Sequence, residues 1–236
     1  MLANEDTVPI NFFAEKIFRE VYGINPNILY TDKNFCQKIR EAIIEVRKSY
    51  QSSNACETKY HTEELRKAYM IAYYPYYIEP IRRIIRKHII PHFDNVGNVC
   101  VDCFAGGPCP EILGLLQAYS DADYISFDVC VYDSEAEWKP YQNMTKRLCN
   151  EIKQGRETVN WKFMRNFDIL KTINLIDFFS YRWQHKTDIF LLQNYLSHLD
   201  YSQADIFLKW FAKLASFMKA GAFPKRQNGF RSRSLP

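Results

Sequence analysis

From Asn98 to Leu192 four short apolar runs, at 98–103, 124–132, 159–164 and 187–192, alternate with stretches of helical spacing. No other feature restricts the fold as much. Helices are expected at 110–119, 134–153 and 203–219, with a further one near 170–181. Strands separated by helices need a crossover after each strand, and crossovers build a mostly parallel sheet with helices on both faces. The expected class is α/β.

The first ~95 residues read as helical. Phe12, Phe13, Ile17 and Phe18 mark one apolar face, and Ile39, Ala42, Ile43 and Val46 a second. Residues 51–60 are polar and read as a loop. Thr62, followed by Glu63 and Glu64, has the makings of a helix cap with acids in the first turn. Pro75 is expected to end or kink the helix ahead of it, and Pro80 to sit in the first turn of the next. That next helix would turn Ile81, Ile84, Ile85 and Ile89 inward and keep Arg82, Arg83, Arg86 and Lys87 mostly in solvent.

Apolar residues make up 47% of the 236, enough for a core, and no run reaches the ~20 apolar residues of a membrane-spanning helix. The acidic start, Asn4-Glu5-Asp6, lacks a secretory layout. The expectation is a cytoplasmic protein, with the nucleus left open and no membrane partner. The formal charge of +4 is carried by Lys225, Arg226, Arg231 and Arg233, which leaves a neutral body without a clear nucleic-acid footprint. Cys100 and Cys103 have zinc-like spacing, but on a strand residues three apart point to opposite faces. No metal site is expected.

Between the first and second runs stands Asp102-Cys103-Phe104-Ala105-Gly106-Gly107-Pro108-Cys109-Pro110-Glu111. A strand enters two glycines and leaves into a helix that accepts proline in its first turn. Glycine serves where backbone approaches a ligand closely, and a helix start offers free N–H groups. A nucleotide-like ligand is expected at this crevice. The dinucleotide pattern G-x-G-x-x-G fails at its last two elements, and the phosphate-loop pattern is absent.

The stretch resembles the first motif of class I S-adenosylmethionine-dependent methyltransferases: a strand with an acid, then a G-x-G-P-G-like turn. One register makes Ala105, Gly107 and Cys109 the three small positions; the other aligns Phe104, Gly106 and Pro108 less well. Ala and Cys serve there if their φ stays negative. The resemblance covers residues ~95–220 and implies a Rossmann-like cofactor domain with S-adenosyl-L-methionine as cofactor. It further implies that Asp102, Ala105, Gly106, Gly107 and Pro108 line the cofactor, and that an acid closing the second strand holds the ribose. Asp133, beside Ser134, is preferred for that role, with Asp128 as the fallback. Asp168 would accept from the adenine amine with Ile169 flanking the ring, and Asn194 would stand at the end of the fourth strand. Tyr73, Tyr76 and Tyr195 are the substrate-side candidates. No catalytic residue is named, because a sulfonium carries its own leaving group. The methyl acceptor is not readable, and the Asn-Pro-Pro-Tyr signature of amino methylation is missing.

Three regions are expected: a helical one over 1–95 acting as lid or substrate side, an incomplete cofactor domain over 96–222, and a disordered basic tail over 223–236. The tail stands where the family continues its sheet, so the last strands are expected to be missing. An exposed fourth-strand edge would then invite a partner chain or self-association. A non-catalytic cofactor-binding or interaction protein is the alternative reading.

Overall fold

The computed structural model describes residues 10–51, 60–92, 97–119, 125–152, 159–171, 187–193 and 201–216. Five helices come first: α1 (Ile10–Tyr22), α2 (Ile28–Thr31), α3 (Lys33–Gln51), α4 (Glu63–Ala72) and α5 (Tyr74–Ile84). A π-helical turn, Ile85–Ile89, and a 3-10 turn, Ile90–His92, follow α5. Then come β1 (Asn98–Phe104), α6 (Pro110–Ala118), β2 (Ser126–Asp133), α7 (Lys139–Ile152), β3 (Val159–Arg165), β4 (Ile189–Leu191) and α8 (Tyr201–Ser216). The expected tail and the expected helix near 170–181 lie mainly or wholly outside the described residues, as do Asn194 and Tyr195.

The four strands form one all-parallel sheet in the order β3-β2-β1-β4. In β2 the alternation is strict: Phe127, Val129 and Val131 enter the core on one face, and Cys130 and Tyr132 the core on the other. The first face is covered by α5, α6 and α7, with Ile17 and Val21 of α1 joining the same cluster. The second carries Phe104 and Tyr132, stacked at 4.7 Å, under Trp210 and Phe207 of α8. The other side of α8 leaves Leu208 and Phe211 exposed. Helices therefore lie on both faces, and β4 stands at one edge.

The amino-terminal helices are built into the core of the sheet. Met70, Tyr74, Ile78 and Ile85 share a cluster with Val99, Val101 and Ile189. Gly114 explains how closely: a Cβ there would lie 2.4 Å from the Ile78 carbonyl oxygen, so only glycine lets α5 press onto α6. Thr62 caps α4, its Oγ1 accepting from Leu65 N at 3.2 Å.

Two expectations for α5 need correction. The helix starts at Tyr74 with Pro75 in its first turn, so Pro80 falls in its interior. The inward face is also narrower than expected. Ile84 is half exposed, while Ile85 is buried. The helix expected over 134–153, α7, is shorter than that, because Ala136–Trp138 is a 3-10 turn that leads into it.

Candidate functional site

The carboxyl ends of β1 and β2 are laced together. Gly106 N donates to Tyr132 O at 3.5 Å, Gly107 N to Asp133 Oδ2 at 2.7 Å, and Phe167 N to Asp133 O at 2.8 Å. β1 lies between β2 and β4, so the chain changes direction across the sheet at the β1–β4 gap. Open α/β sheets bind ligands beside the carboxyl ends at such a switch point.

Left-handed backbone falls on Ala105 (φ 50°), Gly107 (φ 49°) and Cys109 (φ 64°). These are the three positions of the first register considered, and the condition set for Ala105 and Cys109 to serve there, a negative φ, is not met. Each left-handed L-residue costs about 1–2 kcal/mol, so the surroundings have to hold the turn in place. They do so with hydrogen bonds. Cys109 N donates to Gly106 O at 2.7 Å, Gln142 Nε2 donates to Gly107 O at 3.0 Å, and Thr145 Oγ1 donates to Pro108 O. The Thr145 proton is thereby committed, so the Tyr74 hydroxyl, 2.6 Å away, is the donor to Thr145. Gly106 is glycine for a steric reason, since a Cβ would meet Cys103 Sγ at 2.8 Å and Val131 Cγ1 at 3.0 Å.

Asp133 closes β2 with its carboxylate buried. One oxygen accepts from Gly107 N, the other from Glu135 N at 2.8 Å. Burial pushes its pKa up to about 6 against the lowering effect of those two N–H groups. Asp128 is five positions earlier, near the start of β2, where it accepts from Asn98 Nδ2 at 2.7 Å and Asn160 Nδ2 at 2.9 Å. That places the fallback residue at the wrong end of the strand for a ligand at the turn. Ser134 is exposed beside Asp133.

The remaining candidates are more scattered. Asp102 is buried and its carboxylate accepts from Thr187 Oγ1, on the stretch leading into β4. Asp168 accepts from Leu170 N at 2.9 Å and pairs with Lys171 at 3.2 Å, while Ile169 is buried in the α8-side core. Tyr76 is 63% exposed, Tyr74 is buried in the core, and Tyr73 and Tyr77 are half-buried and stack on each other.

Three features of the site were not anticipated from sequence. Tyr69, Tyr73 and Tyr77 recur every four residues and stack in series, Tyr69–Tyr73 at 5.6 Å and Tyr73–Tyr77 at 6.1 Å. Trp138 joins Tyr60 at 5.0 Å and Tyr69 at 5.4 Å, and its ring would lie 3.6 Å from a Cβ on Gly107. Gln193, just past β4, donates from Nε2 to Tyr77 O at 3.3 Å and so ties α5 over the switch point. The i, i+4, i+8 spacing of the tyrosines was the available signal, hidden by uncertainty over where α5 begins.

Glu111 is the other omission. It sits in the first turn of α6, buried, with Cys103 Sγ 4.0 Å from its Oε2. Burial pushes its pKa up to about 8; its own backbone N–H opposes this and Asp133 adds to it. Burial, with Glu111 next, also drives the Cys103 and Cys109 thiols well up, so neither is a nucleophile at neutral pH. Among the described residues, carboxyls, phenols and thiols are the ionisable groups acting on Glu111, Cys103, Cys109, Tyr69, Tyr74 and Tyr77, with no lysine, arginine or histidine. The site is aromatic and acidic.

A cleft of about 450 Å³ opens elsewhere, between α1, α4 and α7. Much of its charge is internally paired, Arg147 with Glu20 at 2.6 Å and Lys67 with Glu63 at 2.7 Å. Among the described residues no group of three or more His, Cys, Asp or Glu side chains could hold a metal ion, and no helix is long and apolar enough to cross a membrane.

No protein-family model, curated protein or solved structure matches the chain.

Proposed function

We propose that the chain binds S-adenosylmethionine over the carboxyl ends of β1 and β2, on a Rossmann-like fold, and passes its methyl group to an acceptor. The observation that carries this reading is the chemistry around the glycine turn: two buried acids, neither paired with a base among the described residues, beside a wall of aromatic rings. Dinucleotides and nucleoside phosphates bring negative charge, which such a site repels. A sulfonium is a cation, and aromatic faces and carboxyls both attract it. The strand order, 3-2-1-4, is the first part of the doubly wound arrangement.

In this reading the cofactor supplies both the methyl group and its own leaving group, so the protein orients the reactants and excludes water. Asp133 sits where a ribose would be held, and its two N–H partners leave the outer lone pairs of its oxygens for hydroxyls. Tyr73 and Tyr77 would flank the acceptor side as a stacked pair, with the Tyr77 carbonyl tied to Gln193.

A non-catalytic scaffold is the second reading, and one observation favours it. Trp138, Gln142 and Thr145 already close over Gly107 and Pro108, so a ligand has to move them aside. Calorimetric titration with S-adenosylmethionine, S-adenosylhomocysteine and NAD separates the readings. Binding of the sulfonium, lost in Asp133→Ala, supports the first; a folded chain that binds none of the three supports the scaffold. A preference for NAD would overturn the charge argument.

A further inference from the structure

The cleft between α1, α4 and α7 has charges that balance in number and not in pairing. Three acids, Glu20, Glu63 and Glu137, and three bases, Arg66, Lys67 and Arg147, line it. Arg147 is held by Glu20, and Lys67 by Glu63. Arg66 is left over. Among the described residues it enters no ion pair: its Nη1 donates to the Tyr60 carbonyl and the Tyr141 hydroxyl lies beside the guanidinium, both neutral groups. Its Nε is buried without a hydrogen-bond partner, so neither water nor protein serves it. A guanidinium in this state gains more from a carboxylate than a fully solvated one does, because part of its hydration is already lost. Glu137 does not supply that carboxylate; it stands exposed and, among the described residues, unpaired.

Val21 of α1 and Tyr141 and Met144 of α7 give the cleft an apolar side. Its volume, about 450 Å³, is far more than one ion or water fills and lies within the range of small-molecule sites. We infer that the cleft binds a small molecule with one carboxylate on a short apolar body, the carboxylate paired with Arg66 and the body against Val21, Tyr141 and Met144. The fork of N–H donors on an arginine suits the two oxygens of a carboxylate. Multiply charged anions fit less well, because each extra negative charge meets Glu20, Glu63 or Glu137 across the same space. Nothing in this site depends on what the glycine turn binds.

The probe is hexanoate, titrated into the isotope-labelled wild-type chain and followed by amide chemical shifts. Hexanamide is its uncharged counterpart, and inorganic phosphate is an anion without an apolar body. Hexanoate should shift the amides of the cleft residues saturably, and hexanamide and phosphate should each bind about tenfold more weakly or worse. Arg66→Gln should weaken hexanoate by a similar factor. Arg66 also steadies the Tyr60 carbonyl, so two further variants leave it in place. Glu20→Gln removes one acid and frees the half-exposed Arg147, and should tighten hexanoate several-fold. Asn143→Trp, at an exposed position on the cleft wall, should block it. Absence of saturable shifts at the cleft, hexanamide or phosphate binding as tightly as hexanoate, or no gain in Glu20→Gln overturns the site.

Discussion

Gly107 donates its backbone N–H to Asp133 at 2.7 Å across 26 positions of sequence, so the residue closing β2 holds the turn that follows β1. The second oxygen of Asp133 takes Glu135 N, which also fixes the start of the segment carrying Trp138. Asp133→Asn has one oxygen in place of two and an amide that cannot accept, so one of the two N–H groups loses its partner. An unpaired buried donor costs about 1–3 kcal/mol. Urea denaturation should show a loss of that size for Asp133→Asn and a larger one for Asp133→Ala. Equal stabilities would mean that the carboxylate does not hold the turn.

Ala105 invites a substitution that most loops would resist. At φ 50° its methyl group is strained, and the residue is only half buried, so little packing is lost on removing it. Ala105→Gly should raise stability by up to about 1 kcal/mol, the relief of strain outweighing the extra freedom of the unfolded chain. Gly106→Ala should move the other way by about 1–3 kcal/mol, because its Cβ would enter the space of Cys103 Sγ and Val131. Thermal melts of the two variants shifted in the same direction would contradict the turn geometry.

What the sequence disclosed and what it hid have separate physical causes. β1 to β4 were legible because apolar runs bounded by polar or turn residues carry a local signal, and their order in the sheet agrees with the parallel arrangement that alternation implies. The turn was legible in position and not in conformation, since alanine and cysteine carry no mark of positive φ. Asp133 was separable from Asp128 only through strand ends, which sequence patterns place poorly. Tyr77 was lost to Tyr76 because Pro75 can end one helix or start the next, and only the second choice sets Tyr73 and Tyr77 four apart along one helical face. Glu111 was hidden because α6 is covered on its outer face by α5. With eight of its nine residues buried, the helix has no polar stripe against which a buried acid stands out.

Gly114 tests that covering directly. In a solvent-facing helix, Gly→Ala stabilises by about 1 kcal/mol. Here the added methyl would lie 2.4 Å from Ile78 O, 3.1 Å from Ile81 Cβ and 3.3 Å from Arg82 N, two of the three being backbone atoms that cannot swing away. Gly114→Ala should therefore destabilise by roughly 2 kcal/mol or more, with α5 pushed off α6. Faster amide exchange along Tyr74–Ile84 would accompany it. A stabilised variant would mean that the two helices are further apart than described.

Glu111 also sets the pH dependence of the fold. Its folded pKa, about 8, stands above the ordinary 4.5, so the folded state holds the proton more tightly than the unfolded chain does. The benefit of the neutral group is fully present below the ordinary value and is lost as pH rises through about 8. Asp133 has the same sign in a lower window, from 3.8 to about 6. Wild-type stability should then fall as pH rises from the ordinary carboxyl range to about 8, more steeply below about 6 where Asp133 adds to it, the Glu111 part amounting to a few kcal/mol in order of magnitude. Glu111→Gln, which has no proton to lose, should come closest to the wild type below pH 5 and exceed it by a margin that grows up to about pH 8 and then levels off. Urea midpoints across that range read the difference, and parallel curves for the two proteins would show that Glu111 is already ionised in the fold.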